Sequence, residues 1–457
     1  MSVDWQEAVL GDIATFSQGL QVPVEEQSLC YEEGLGRFIR IIDYTNEAES
    51  PRYIEKPSER YYASSDDVVM VRYGSQTAGK VVRGKAGYIA NNMFKINLDS
   101  EFIDKGYLYY FLASNEVYDF LRSSQSSSTM PAITFGMLKP IIIRYPSLEL
   151  QRKIASIIDE VEKKIELNRQ TNQTLEHIAQ AIFKNWFVDF EPTRAKIIAK
   201  EKGANTAIQE LAAQAIICGA MTLEKLEAIT QNLETTLQQA INEKLSQANQ
   251  TPINTEQLKT TAALFPNALV ESDGVTNSSE TSRLIPEGWE VQTLEDVIEL
   301  AYGKALKKTV RVEGDFPVYG SGGLTGTHND ALVEGPGVIV GRKGTVGSLY
   351  WEDSSFYPID TVFYVKPKSS ITLVYAYSLL QTLGLADMNT DAAVPGLNRN
   401  NVYRLDIVKP PEKLILIFSK LIGSFRERLS LNKQESKFLV EVRDLLLPKL
   451  LSGDLPI

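Results

Sequence analysis

The heptapeptide Gly74-Ser75-Gln76-Thr77-Ala78-Gly79-Lys80 follows an apolar run, Val68-Val69-Met70-Val71, and fits the first seven positions of a phosphate-binding loop. The chemistry it would support is nucleotide hydrolysis, and three features oppose it. Val81 stands where a magnesium-binding Ser or Thr is needed. Val81-Val82-Arg83-Gly84 reads as strand, so no helix N-terminus follows to hold a phosphate. The matching place later in the chain, Gly344-Thr345-Val346-Gly347, lacks the pattern. Methyl transfer to a base amino group would call for Asn/Asp-Pro-Pro-aromatic, and the one Pro-Pro, Pro410-Pro411, lies between Lys409 and Glu412. His177 and His328 are isolated, and Cys30 and Cys218 have no partner at metal-ligand spacing. Neither a zinc site nor a disulfide framework is expected, and a reducing compartment is. Asp189 and Glu191 read as a helix end rather than a carboxylate dyad. The chain is expected to be non-catalytic, with no metal or cofactor of its own.

What remains are loops of Gly, Ser, Thr, Asn, Arg, Lys and Tyr in two separate parts of the chain. The first set holds Arg72, Tyr73, Ser75, Gln76, Thr77, Lys80, Arg83, Lys85, Asn91 and Asn92. The second holds Lys304, Lys307, Lys308, Tyr319, Ser321, Thr325, Arg342, Lys343, Asn398 and Arg399. Arg and Lys pair with guanine or phosphate, Asn and Gln with adenine, and Ser or Thr with either. Taken singly, such residues make turns or solvated surface charges. Taken together, two similar but non-identical loop sets suit a protein that reads two different DNA half-sites. The net charge of −11 argues against a simple polyanion binder, but it is a sum, and the acidic excess is spread over helical parts of the chain. The polar run Ser123 to Thr129, ahead of Met130-Pro131, reads either as a mobile loop or as one ordered by a ligand.

Two stretches must position these loops. From Leu148 to Phe190, apolar residues fall at Leu150, Ile154, Ile157, Val161, Ile165, Leu175, Ile178, Ile182 and Trp186, steps of three or four that predict a long amphipathic helix with coiled-coil character. From Glu412 to Leu451 the pattern returns at Ile415, Phe418, Leu421, Phe425, Leu429, Leu439, Val442 and Leu446, mostly in register with the first when Asn432 is set against Asn168. The parts before the helices repeat too. Trp5, Leu10, Asp12, Ile13 and Gly19 match Trp289, Leu294, Asp296, Val297 and Gly303 in spacing. The expected fold is α+β: two α/β globular domains in an internal repeat, separated by two long antiparallel coiled-coil helices. Residues 1–146 and 284–409 form the domains, 147–190 and 410–457 the helices, and 191–283 a helical insertion and linker, with helical segments at Thr206 to Ile217 and Thr222 to Gln247. Lys105 to Arg122 reads as a helix within the first domain. Asn168 and Asn432 interrupt the two apolar seams at equivalent places, and their amides are expected to approach each other and fix register; the alternative is two exposed polar residues.

The sequence resembles a specificity subunit of a type I restriction-modification system over nearly its whole length. The residues that carry the likeness are Pro146-Ser147-Leu148-Glu149-Leu150-Gln151-Arg152-Lys153-Ile154-Ala155, Trp186-Phe187-Val188-Asp189-Phe190-Glu191-Pro192, Leu264-Phe265-Pro266, Ile285-Pro286-Glu287-Gly288-Trp289 and Leu447-Pro448-Lys449-Leu450-Leu451-Ser452-Gly453. The resemblance implies that each globular unit is a target-recognition domain for one part of a split double-stranded DNA sequence. It implies helices that set the spacer and dock two modification subunits, which use S-adenosylmethionine, and restriction subunits that use ATP and Mg. Residues of about 203 to 262 are longer than the connector such a protein needs. A coiled-coil scaffold that binds protein rather than DNA is the competing reading, separable by the salt dependence of DNA binding. With no signal-peptide pattern and no run of 18 apolar residues, no membrane span is expected, and the cytoplasm is the expected location.

Overall fold

The computed structural model describes residues 5–46, 49–74, 77–124, 132–247, 254–272, 284–368, 370–389 and 396–455. The chain divides into two compact units, Met1–Asn168 with Gln434–Ile457, and Arg169–Lys433. Each therefore joins a globular part to segments of two long helices, Leu148–Phe187 and Glu412–Ser452.

In the first unit, a four-stranded antiparallel sheet runs in the order Ala14–Gln18, Met93–Leu98, Val68–Val71, Val81–Val82. The strand Val68–Val71 is apolar at every position because both its faces are covered. Val68 and Met70 pack with Phe94, Tyr107, Leu108, Ile143 and the long-helix residues Ile154, Ile158 and Leu450. Val69 and Val71 pack the other way, against Phe38, Ile39, Ile54 and Ile89 of a second sheet ordered Arg52–Glu55, Leu35–Ile39, Gly87–Ile89, Tyr62–Ala63. A ribbon of Gln6–Val9 with Ile142–Tyr145 brings the two ends of the domain together just before the long helix. Lys105 to Arg122 is two helices rather than one, Lys105–Leu112 and Asn115–Ser123, because the Ser114 hydroxyl caps the second by accepting from the Val117 N–H.

The second unit repeats this plan. Its sheet order is Ile298–Tyr302, Val362–Pro367, Gly337–Gly341, Leu349–Glu352, beside a smaller sheet of Gly323–His328, Phe316–Gly320 and Tyr357–Pro358. Glu290–Thr293 pairs with Asp406–Lys409 as the closing ribbon. The repeat reaches to single glycines. A Cβ on Gly19 would lie 2.2 Å from the Ala90 carbonyl oxygen, and one on Gly303 would lie 2.0 Å from that of Ile359, so no other residue fits at either place.

Between the first long helix and the second globular part lie helices Glu191–Glu201, Thr206–Ile217, Leu223–Ala228, Leu233–Gln247 and Thr255–Ala262. The segment expected to run from Thr222 to Gln247 breaks where Asn232 takes a positive φ of 55°, a conformation Asn tolerates. These helices share one core with the second unit: Trp186 meets Phe265 at 5.8 Å, and Phe190 meets Trp289 at 5.5 Å.

The long helices are antiparallel within each unit. In the first, Lys164 pairs with Glu435 at 3.1 Å and Glu162 with Arg443 at 3.8 Å; in the second, the Phe183 and Phe418 rings are 5.5 Å apart and Glu176 pairs with Arg426 at 3.7 Å. Asn168 and Asn432 are both buried in the seam. The Asn168 amide donates to Glu435 at 2.8 Å and to Ser436 at 3.3 Å, inside the first unit, while that of Asn432 donates to Asn172 at 2.8 Å, inside the second. Each amide thus finds its acceptor on the facing helix within its own unit, and neither is an exposed polar residue. Among the described residues no helix is long and apolar enough to cross a membrane, and no cluster of His, Cys, Asp and Glu could hold a metal ion.

Candidate nucleic-acid interface

In each unit the loop that follows the doubly covered strand is pinned from both sides through its first arginine. The Arg72 N–H donates to the Asn92 carbonyl at 2.8 Å, and the Arg72 carbonyl accepts from the Ile133 N–H at 2.9 Å. Arg342 repeats the arrangement, donating to Thr361 at 2.9 Å and accepting from Leu397 at 2.8 Å. Three backbone segments thus meet at each sheet end, and they carry most of the loop residues singled out above. The arginine side chains lie on aromatic rings, Arg72 4.8 Å from the Tyr73 centroid and Arg342 4.8 Å from that of Tyr302.

In the first unit, Gly74 has a φ of 124°, and Thr77 closes the turn by donating its hydroxyl to the Tyr73 carbonyl at 3.0 Å. Lys80 is exposed and leads into Val81–Val82, a strand paired with Val69 and Met70. A phosphate-binding loop would need a helix there. Asn91 donates to the Gln21 side chain at 3.2 Å, and its carbonyl accepts from Gln18 at 3.3 Å, so a small cluster of amides borders the loop. Among the described residues, the buried Oδ1 of Asn92 meets no donor. Lys85 lies 5.6 Å from the Tyr44 ring. Ser75 and Gln76 lie outside the described residues, as do Gln125 to Pro131, which include most of the polar run.

Arg83 belongs elsewhere. Its guanidinium forms an ion pair with Asp159 of the first long helix, donates to the Tyr110 hydroxyl at 2.9 Å and lies 4.1 Å from the Tyr109 centroid. Tyr110 in turn donates to Asp159 at 2.5 Å, and burial, then the carboxylates Asp159 and Glu162, push its ionisation far above the ordinary tyrosine range. Arg83 therefore staples the domain to the helix, and its guanidinium is engaged within the protein.

In the second unit, Lys304, Lys307, Lys308 and Lys343 are exposed. Ser321 accepts from Ser348 through its carbonyl at 2.7 Å, and its N–H reaches Thr361 at 3.3 Å, which sets it beside the Arg342 loop. Arg399 lies 4.8 Å from the Tyr302 centroid as well. Two further residues singled out in the sequence have partners within the protein. Tyr319 donates its hydroxyl inward to Glu352 at 2.8 Å, and burial, then that carboxylate, raises its ionisation well above the ordinary range. The Asn398 side-chain oxygen accepts from the N–H groups of Asn400 and Asn401, at 2.9 and 3.4 Å, as a helix cap. Thr325 is exposed, but its hydroxyl bonds the Val318 carbonyl at 3.1 Å.

Sequence reasoning passed over Tyr302 and Gln18. Each immediately precedes the repeated glycine, Gly303 or Gly19, and that shared position next to a residue that must be glycine was the available signal.

Comparison with known proteins agrees with this duplicated arrangement. The family described as type I restriction modification DNA specificity domain matches residues 2–177 and 286–412. The HindI specificity subunit of Haemophilus influenzae is 30% identical over 395 residues, 80% of this chain and 81% of that one. The MjaIX specificity subunit of Methanocaldococcus jannaschii is 35% identical over 118 residues, 24% of this chain and 27% of that one. The crystal structure of a type I restriction-modification S subunit from M. genitalium shares the fold, with a TM-score of 0.53 at 16% identity over 98% of this chain and 96% of that one. Because both halves match the family and a relative matches over most of its length, the chain belongs to the type I restriction modification DNA specificity family.

Proposed function

We propose that this specificity subunit binds a split, asymmetric sequence in double-stranded DNA, with residues 1–146 reading one part and 284–409 the other. The observation that carries this reading is the pair of loops held by the same backbone bonds at Arg72 and Arg342 but surrounded by different side chains. A shared backbone frame places both loops for the same task, and different side chains let them read different bases. The exposed lysines 304, 307, 308 and 343 supply phosphate contacts on the second domain, and Lys80 does so on the first.

In this proposal the helices set the spacer and dock two modification subunits. Leu167 on the first helix and its repeat counterpart Leu431 on the second are 56% and 57% exposed, apolar positions that suit a protein partner. The chemistry resides in those partners, which hold S-adenosylmethionine and methylate adenine. Restriction subunits using ATP and Mg join them in the cytoplasm. A helix of 40 residues spans about 60 Å, against about 34–36 Å for a DNA turn, so successive grooves are within its reach.

The test is to map methylated adenines by single-molecule sequencing in DNA from cells that express the chain with its modification subunit. A split motif with a fixed gap is expected, and replacing residues 284–409 with another such domain should change one half of it. A stable complex that methylates without any split motif would refute the proposal.

A further inference from the structure

In the second unit the ring of Tyr302 carries two guanidiniums, those of Arg342 and Arg399, each 4.8 Å from its centroid. Tyr302 itself is 48% exposed, so the arrangement opens to the surface. Among the described residues neither arginine pairs with a carboxylate; their polar partners are carbonyl oxygens, Asp360 for Arg342 at 3.3 Å and Leu300 for Arg399 at 3.5 Å. Two cations that share one ring lie no more than about 10 Å apart, within the Debye length in 0.1 M salt, so part of their repulsion persists and an arriving acceptor relieves it. Arg399 is the anchored member. It also faces Tyr403 at 5.5 Å, its Nε is buried, and the Tyr403 hydroxyl holds the Leu300 N–H at 2.8 Å. Arg342 is the member on the loop, placed by the rings of Tyr302 and Phe363, the latter at 5.7 Å, and by one bond to the Asp360 carbonyl.

The first unit lacks this stack. Gln18 stands where Tyr302 does, and Phe135, stacked on Phe16 at 5.3 Å, stands where Arg399 does. The difference falls on equivalent positions of two otherwise similar frames, and so concerns what each half reads.

We propose that Arg342, held against Tyr302 and backed by Arg399, reads a guanine in the half-site of the 284–409 domain. The inference rests on the proposed function and names one of its specificity determinants. A planar guanidinium fork matches guanine O6 and N7 with two parallel hydrogen bonds in a fixed geometry, whereas a lysine ammonium reaches the same atoms only as a flexible point charge. The exposed lysines nearby meet the phosphates.

The test uses the full chain co-expressed with its modification subunit in cells carrying a randomised plasmid library, with methylated adenines mapped for the parent and for Arg342→Lys. Arg342→Lys keeps the charge and loses the fork. One guanine position in one half of the motif should become degenerate, with discrimination falling about tenfold or more, the range for a lost bidentate contact, while the other half stays unchanged. A uniform fall in methylation with base preferences intact would mean a phosphate contact and overturn the inference, as would an unchanged motif or a half-site without guanine. If Arg342→Lys does not accumulate, Arg342→Gln serves, with preference at that position expected to move toward adenine. A parent chain that gives no split motif overturns the proposed function, and this inference with it.

Discussion

Arg83→Met separates a structural arginine from a DNA-binding one. The Arg83 side chain is 22% exposed and that of its partner Asp159 29% exposed, between the surface pairs worth about 0–1 kcal/mol and the buried ones whose disruption costs about 3–5 kcal/mol. Its positions 4.1 and 4.9 Å from the Tyr109 and Tyr110 centroids add about 0.5–1 kcal/mol. Loss of about 2 kcal/mol is expected overall, offset in part by the Tyr110 hydroxyl, which still bonds Asp159 and Glu162 at 2.5 and 3.0 Å. For a unit of this size that corresponds to a fall of about 4–8 °C in its melting transition. Calorimetry of Arg83→Met, Asp159→Asn and the double variant should show a coupling of about 1 kcal/mol or more between the two sites. The salt dependence of DNA binding should not change, whereas loss of a phosphate contact would reduce its slope by about one. Additive melting shifts together with a reduced slope would refute the staple and return Arg83 to the DNA-facing set.

Three further outcomes follow from the geometry. The Asp67 carboxylate is partly desolvated, which alone would raise its pKa, but the Lys105 ammonium at 2.7 Å and the Ser64 N–H at 2.9 Å outweigh this and hold it below the ordinary value near 3.8. A depressed carboxylate stabilises the fold above its unfolded pKa of about 3.9 and loses that contribution as pH falls through the folded value. Asp67→Asn should therefore lower the melting temperature near neutrality and narrow the difference from the parent below about pH 4, as read from melting curves across pH; equal differences at all pH values would contradict it. Asn432→Leu leaves the Asn172 side-chain oxygen without its donor in the helix seam and should cost about 1–3 kcal/mol, measured by thermal unfolding; a stabilised variant would show that the seam prefers an apolar residue there. Gly303→Ala forces a methyl into the Ile359 carbonyl at 2.0 Å, so the backbone must shift, and a loss of about 3 kcal/mol confined to the second unit is expected. Hydrogen exchange localises that loss, and equal loosening of Val68–Val71 in the first unit would count against it.

The sequence by itself determined the duplicated plan. Periodic apolar positions, the apolar run at Val68–Val71 and the placement of Gly19 and Gly303 are properties of short stretches, and each recurs in the second half with its pattern kept. Helix breaks were harder to see, because a capping hydroxyl at Ser114 or a left-handed residue at Asn232 starts a new helix without disturbing the apolar period. Which polar side chains remain free to meet DNA was decided by tertiary structure alone. Arg83 and Arg342 look alike in sequence, yet one meets a carboxylate 76 residues away and the other, among the described residues, meets two aromatic rings and a carbonyl. Tyr319 and Asn398 are likewise held by partners inside the protein, while Tyr302, unremarked in the sequence, lies at the centre of a cationic stack. The physical reason is that backbone path and burial follow from local patterns summed along an element, whereas the availability of one charged group depends on whether folding brings an opposite charge within a few ångströms of it.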